Sequence, residues 1–335
     1  MMNGVVVDDR ETLASIDIGT NSTRLLVAGC DGRSTDTISR MMRITRLGEG
    51  VDRRQELSAE AMDRTLEALR EYRGVMDSLN PGEVRPVATS ALRDCRNANE
   101  FLGAAADALG TRPEVIGGAE EAALSYTGAV IELEVEEGEF EKLLVFDIGG
   151  GSTEVMTARQ RLPLPLAGGN CLSARSVDVG CVRMSERFLL ADPPSPVSIG
   201  RMEALIFTEL RPALAAVATG VSRGVGLAGT VTTVSAICLG LTGYDTERIH
   251  HSILQRSAIE EVFLKLASVG LEERKRVMVI EPGRADVIVG GIAVLRAIMD
   301  IVGLEELIVS EKDILDGIVL DLHARRREGS RGGPG

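Results

Sequence analysis

Ile16-Asp-Ile-Gly-Thr-Asn-Ser-Thr23 and Phe146-Asp-Ile-Gly-Gly-Gly-Ser-Thr153 decide how this chain is read. Five of the eight positions are identical, and the second octet follows the first by 130 residues. Each is entered by an apolar run, 13–18 and 143–148, and each leads into another, 25–30 and 154–158. Short apolar runs bounded by glycine read as buried strands, so each octet spans a tight hairpin. One such octet is weak evidence. Two, at the same place in two similar strand–helix series, point to a duplicated domain that faces itself across a cleft.

Working outward, the first series continues with a third strand over 37–45. Ser58 then caps a helix on which Met62, Leu66, Leu69, Met76 and Leu79 recur at helical spacing until Pro81-Gly82 stops it. A strand at 84–89, a helix at 99–109 ending at Gly110, a short strand at 115–116 and a helix at 118–133 follow. An acidic linker, 132–141, precedes the restart. The second series has a Pro- and Gly-rich loop at 161–173, a third strand at 176–179, a long helix at 199–218, a strand at 225–228 and a helix at 231–239. Helices and short strands continue to about residue 324. The expected boundaries are 1–130 and 140–312, with a helix at 313–324 packing back on the first domain. Residues 325–335, rich in Arg and Gly, read as a flexible tail.

The 335 residues are 44% hydrophobic and 26% charged, as in a globular protein of about two domains. No apolar run approaches the roughly 18–20 residues that span a bilayer, and Asp8 and Asp9 spoil the start as a signal peptide. A net charge of −13 with no Trp, three Tyr and six Phe argues against nucleic acid and membrane as partners. Five cysteines, an odd number without a CxxC pair, fit reduced thiols in the cytoplasm. Of 37 basic residues only four are lysine. Arginine grips phosphate with paired hydrogen bonds, although a GC-rich genome gives the same bias.

The hairpin tips carry the chemistry. Gly19 and Gly149 permit the turn. Thr20, Asn21 and Ser22 on one tip, and Gly150, Gly151 and Ser152 on the other, offer backbone N–H groups and hydroxyls to phosphate oxygens. Asp17 and Asp147 would repel phosphate, so their expected role is to hold Mg2+, or another hard divalent cation, or its waters. The run Gly224-Val-Gly-Leu-Ala-Gly-Thr230 matches a dinucleotide fingerprint only formally. Its glycines overlap the predicted strand instead of following it. The better reading is a Gly229-Thr230 turn opening a helix, which is either one more anion seat or an ordinary helix start.

These stretches resemble the phosphate motifs of the actin/Hsp70/sugar-kinase superfamily. Within it the chain is similar to the exopolyphosphatase/guanosine pentaphosphate phosphatase family over about residues 12–322. The resemblance is carried by Ala88-Thr-Ser-Ala-Leu-Arg93, Asn97-Ala-Asn99, Gly118-Ala-Glu-Glu-Ala122, Phe146 to Glu154, Gly180-Cys-Val182 and Arg284-Ala-Asp286. It implies an α/β fold of two ribonuclease-H-like domains, each a mixed sheet flanked by helices, with the site in the cleft between them. It implies a phosphohydrolase acting on inorganic polyphosphate or pppGpp, in the cytoplasm, as a homodimer. A small-molecule kinase of the same superfamily is the alternative.

The resemblance also assigns residues. Glu121 becomes the general base and Arg93 a phosphate-gripping group. Asp147, Glu154 and Asp17 become the metal-associated carboxylates. Thr20, Asn21, Ser22, Arg24, Gly149, Gly150, Gly151, Ser152 and Thr153, with Gly229 and Thr230, line the phosphate path. The chain departs from the family in two places: Ala123 replaces a frequent Arg, and Ser22-Thr23-Arg24 replaces a frequent Ser-Phe-His. Because a polyanion meets a protein of net charge −13, the cleft must be locally basic. Arg24, Arg93, Arg96, Arg183 and Arg284 are the candidates.

Overall fold

The structure, a computed structural model, describes residues 10–93, 95–136, 138–166, 172–278 and 282–331. The first half runs β1 (Glu11–Ile18), β2 (Ser22–Cys30), β3 (Thr35–Ile44), α1 (Val51–Arg54), α2 (Ala59–Leu79), β4 (Val84–Ala88), α3 (Ser90–Arg93), α4 (Ala98–Leu109), β5 (Glu114–Val115) and α5 (Gly118–Val130). The second runs β6 (Leu143–Ile148), β7 (Thr153–Ala158), β8 (Leu172–Val177), α6 (Cys181–Phe188), α7 (Pro196–Val217), β9 (Arg223–Leu227) and α8 (Ala228–Cys238). It continues with α9 (Thr246–Ile249), β10 (Ile253–Gln255), α10 (Arg256–Ala267), α11 (Leu271–Val277), α12 (Ile288–Val302) and β11 (Glu306–Val309), and closes with α13 (Ile314–Arg331).

Among the described residues the strands form two mixed sheets, ordered β3-β2-β1-β4-β5 and β10-β11-β9-β6-β7-β8. In the first, β1, β2 and β3 are antiparallel neighbours while β4 and β5 run parallel to β1. The second repeats this with β6, β7, β8, β9 and β11, and adds β10 as an antiparallel edge. The fold is therefore a doubled α/β unit of the ribonuclease-H-like type.

Strand alternation explains how the helices flank the sheets. Ala14, Ile16 and Ile18 of β1 face one side, where they pack with Leu69, Tyr72, Phe101 and Ala105 of α2 and α4. Leu13 faces the other side and joins Leu315, Val319 and Leu322 of α13. Between the halves lies α5. Its Ala122, Tyr126 and Ala129 pack on Val145, Met156 and Leu227 of the second sheet, and its Leu124 packs with Val87 of the first sheet and Ile318 of α13. The helix that carries Glu121 is thus held from both sides.

Several elements differ from their sequence reading. The third strand of the second half starts at Leu172, earlier than 176, and pairs along all of β7. Residues 167–171 of the loop expected at 161–173 lie outside the described residues. The segment from 325 is not a loose tail as far as it is described: α13 continues to Arg331, with Arg326 bound to Glu11 (2.8 Å) and Glu83 (3.0 Å). Ion pairs anchor it where apolar residues are lacking. Gly224 and Gly226 lie inside β9 and Gly229 inside α8, the reverse of a dinucleotide-binding turn.

Candidate active site

The two octets form the same turn. Gly19 N–H donates to Ser22 O and Gly149 N–H to Ser152 O, each at 3.0 Å. Their tips meet across the cleft. A Cβ added to Gly150 would lie 2.8 Å from Thr20 Cβ, and one added to Gly151 would lie 2.5 Å from Ser90 Oγ, so glycine is what lets the halves approach. Thr20 and Ser90 hydroxyls hydrogen-bond at 2.9 Å. The carbonyls of Gly149 and Gly150 accept N–H bonds from the first turn of α6.

Behind the tips lies a cavity of about 60 Å³. Its wall includes Asp17, Thr20, Asn21, Ser22 and Arg24 from the first half. The second half supplies Asp147, Gly149, Gly150, Ser152, Gly229 and Arg284, and α5 supplies Glu121. Glu121 is therefore at the shared gap, in the first turn of α5, where its carboxylate accepts a 2.7 Å hydrogen bond from Arg93. Burial, with smaller contributions from Asp17 and Asp147, raises Glu121 to about 7 against the pull of Arg93.

A match to the Ppx/GppA phosphatase family covers residues 26–326. The chain belongs to this family. It is accordingly a phosphohydrolase. Exopolyphosphatase 2 of Mycobacterium tuberculosis is 40% identical over 324 residues, 92% of this chain and 98% of that one. The crystal structure of an exopolyphosphatase-like protein is 34% identical with a TM-score of 0.86, covering 96% of this chain and 99% of its own. The Aquifex aeolicus Ppx/GppA member is 29% identical with a TM-score of 0.75, covering 95% and 99%.

Within this Ppx/GppA phosphatase the equivalent hairpin positions carry opposite charges. Asp17 pairs across its hairpin with Arg24, and Asp147 with Glu154. Opposed residues in antiparallel strands are neighbours, so Asp17 has a cation beside it and Asp147 has another carboxylate. Asp147 accepts from Ser125 Oγ at 3.0 Å, and burial lifts it to about 6. Glu154 is 1% exposed and accepts from Ser152 (2.9 Å) and Ser176 (2.6 Å). Burial, then Glu121 and Asp147, raise it well above the ordinary carboxylate range.

Not every expected residue faces the cavity. The Thr153 hydroxyl donates to Val179 O inside the second half. Thr230 is buried, its hydroxyl against Gly291 of α12. Gly151 lies beside Thr20 and Ser90 in an adjoining space. Arg24 is in the wall, but its nitrogens all donate to the carboxylates of Asp17 and Asp313. Of the other arginines, Arg183 binds Asp52 and Gly151 O, and Arg96 is exposed beside Glu56. Arg284 rests on Gly229, where a Cβ would meet its guanidinium at 2.1 Å. Thr89, Ser90, Ser125 and Asp313 were not among the sequence candidates. Ser90 had a signal, its place beside Arg93 in the quoted run, whereas Asp313 had none near it in sequence.

Asp17, Asp147 and Glu154 do not form one ligand set. Among the described residues no group of three or more His, Cys, Asp or Glu side chains is arranged to hold a metal ion. Mg2+ needs no such cage, since one or two carboxylates with waters and phosphate oxygens suffice. Asp17 fits that demand: among the described residues its Oδ1 is buried and without a partner, as are both amide atoms of Asn21 in the same cavity wall. No helix among the described residues is long and apolar enough to cross a membrane.

Proposed function

We propose that this chain releases the terminal phosphate of inorganic polyphosphate by attack of water on the end phosphorus, with Glu121 as the general base. The observation that carries the reading is the Glu121 carboxylate, its side chain only 12% exposed, in the wall of a cavity that both hairpin tips also line. Hydrolysis of a phosphoanhydride needs a positioned water, a fixed terminal phosphate and neutralised charge, and little covalent help from the protein. Thr20, Asn21, Ser22, Gly149, Gly150, Ser152 and the start of α8 at Gly229 are read as the holders of the phosphate oxygens. Gly151, Thr153 and Thr230 are read as supporting that wall from behind. Arg93 holds one oxygen of Glu121 and leaves the other for the proton of the attacking water. A base near neutrality balances availability against driving force. Mg2+ would be held by Asp17, with Asp147 and Glu154 as the metal-associated carboxylates of the second hairpin, and would neutralise the phosphate oxygens.

The 40% identical relative is named for polyphosphate, which is why that substrate is preferred here; pppGpp ends in the same kind of bond. The kinase alternative gains no support from the family match. We further read the domains as 1–130 with α13, and 140–312. The protein is placed in the cytoplasm on its odd number of cysteines without a CxxC pair, and as a homodimer on the family resemblance. The test is phosphate release from short polyphosphate, long polyphosphate, pppGpp and ATP with Mg2+. The highest kcat/KM is expected on polyphosphate. ADP formation from ATP that requires a second, phosphate-accepting substrate would replace hydrolysis by phosphoryl transfer.

A further inference from the structure

We infer that Asp313, which follows Arg24 by 289 positions in the chain, is a positioning residue of this site: it draws Arg24 aside so that Asp17 keeps one carboxylate oxygen free toward the cavity. This deepens the proposed function, because it rests on reading Asp17 as the carboxylate that meets the divalent cation.

A guanidinium beside a carboxylate normally engages both oxygens through two parallel bonds. Arg24 does not. Its Nε (3.1 Å) and Nη2 (2.6 Å) both donate to Asp17 Oδ2, and Nη1 donates to Asp313 Oδ2. Among the described residues, Asp17 Oδ1 is left buried and unpartnered at the cavity wall. The second carboxylate is what holds the guanidinium in this sharing position. Without Asp313, Arg24 can swing to the two-oxygen arrangement and cover Oδ1.

Asp313 can act as a fixed point because it is itself held. Its Oδ1 accepts Leu315 N–H at 3.0 Å, and its own N–H donates to Asp316 Oδ2 at 3.2 Å. Its carbonyl lies so close to α5 that a Cβ at Gly128 would sit 1.8 Å from it, and one at Gly317 would sit 2.0 Å from Leu124 O. Helix α13 therefore fixes two things at once: Asp17 through Arg24, and the helix that carries Glu121.

The test is Mn2+ binding to the full chain without substrate, followed by electron paramagnetic resonance. Outer partners of a metal ligand are commonly worth about 10–100-fold in metal affinity. Asp313→Ala is expected to weaken Mn2+ binding about tenfold, and Asp17→Asn at least as much. Asp313→Asn, which still accepts the Nη1 bond, is expected to lose less than about threefold. Arg24→Lys, whose single ammonium cannot serve both carboxylates, is expected to behave like Asp313→Ala and covers the case in which that variant does not fold. Wild-type affinity in Asp313→Ala, Asp17→Asn or Arg24→Lys overturns the inference. So does an equal loss in Asp313→Ala and Asp313→Asn, which would mean charge at a distance and not position. A wild type that binds Mn2+ with the expected variant pattern but leaves polyphosphate intact would sink the proposed substrate and spare this inference.

Discussion

Helices α5 and α13 cross backbone to backbone, and Gly128→Ala is the perturbation that probes the crossing. The new Cβ would lie 1.8 Å from Asp313 O, 2.7 Å from its carbonyl carbon and 3.0 Å from Gly317 N. Ordinary contact begins at 3.4 Å, so the helices must part by roughly 1.6 Å, the difference between that and the shortest distance. All three atoms are backbone, and no side chain can rotate away to make room. Overpacking of this kind typically costs about 1–3 kcal/mol. Alanine returns roughly 0.8–1 kcal/mol of helix propensity over glycine. With only backbone in the way the upper half of that cost applies, so the net expectation is a loss of about 1–2 kcal/mol, read as a fall of roughly 1–3 °C in Tm for a chain of 335 residues. Because α5 carries Glu121, a shift of this size is also expected to lower kcat about 100-fold. Gly74→Ala in α2, where a Cβ meets nothing within 4 Å, is the control and should gain stability. Urea denaturation and phosphate release on both variants provide the assay. A Gly128→Ala protein as stable as the wild type, beside a stabilised Gly74→Ala, would refute the close crossing.

Three further outcomes are expected. Because Glu121 must be ionised to take a proton and is raised to about 7, kcat/KM should fall tenfold per pH unit below that point; Arg93 lowers Glu121, so Arg93→Gln should move the acid limb upward, and a wild-type limb near pH 4.5 would contradict both. Folded Glu121 binds its proton more tightly than the unfolded chain does, so its burial destabilises increasingly as pH rises from the ordinary 4.5 to about 7. Glu121→Gln should accordingly gain about 2–3 kcal/mol more at pH 8 than at pH 5, and an equal change at both pH values in denaturant titrations would count against it. Ala228, at φ 65, is a left-handed alanine at the cavity wall; Ala228→Gly should raise stability by roughly 1 kcal/mol, and a loss in the same melts would show that the strain is not there.

The duplicated hairpin was legible because it rests on local rules: an apolar strand, a glycine turn and a second strand, written twice. Once that turn is fixed, even the pairing of Asp17 with Arg24 follows from register. Glu121 was legible at the start of its helix, but its burial was not, since the second sheet that covers α5 lies far along the chain. Thr153 and Thr230 have suitable hydroxyls, yet alternation and close helix packing turn them inward. Arg24 was seen as a cation without the Asp313 that claims it. Composition misread the segment after 324 because Arg325 and Arg326 find acidic partners in Asp321, Glu11 and Glu83, a form of anchoring that an apolar count overlooks.

Phosphate release from short polyphosphate by Glu121→Gln, measured beside substrate binding, goes to the centre of the account. If this carboxylate deprotonates the attacking water, turnover should drop about 10²–10⁴-fold while the substrate still binds. Turnover equal to the wild type would place the base elsewhere.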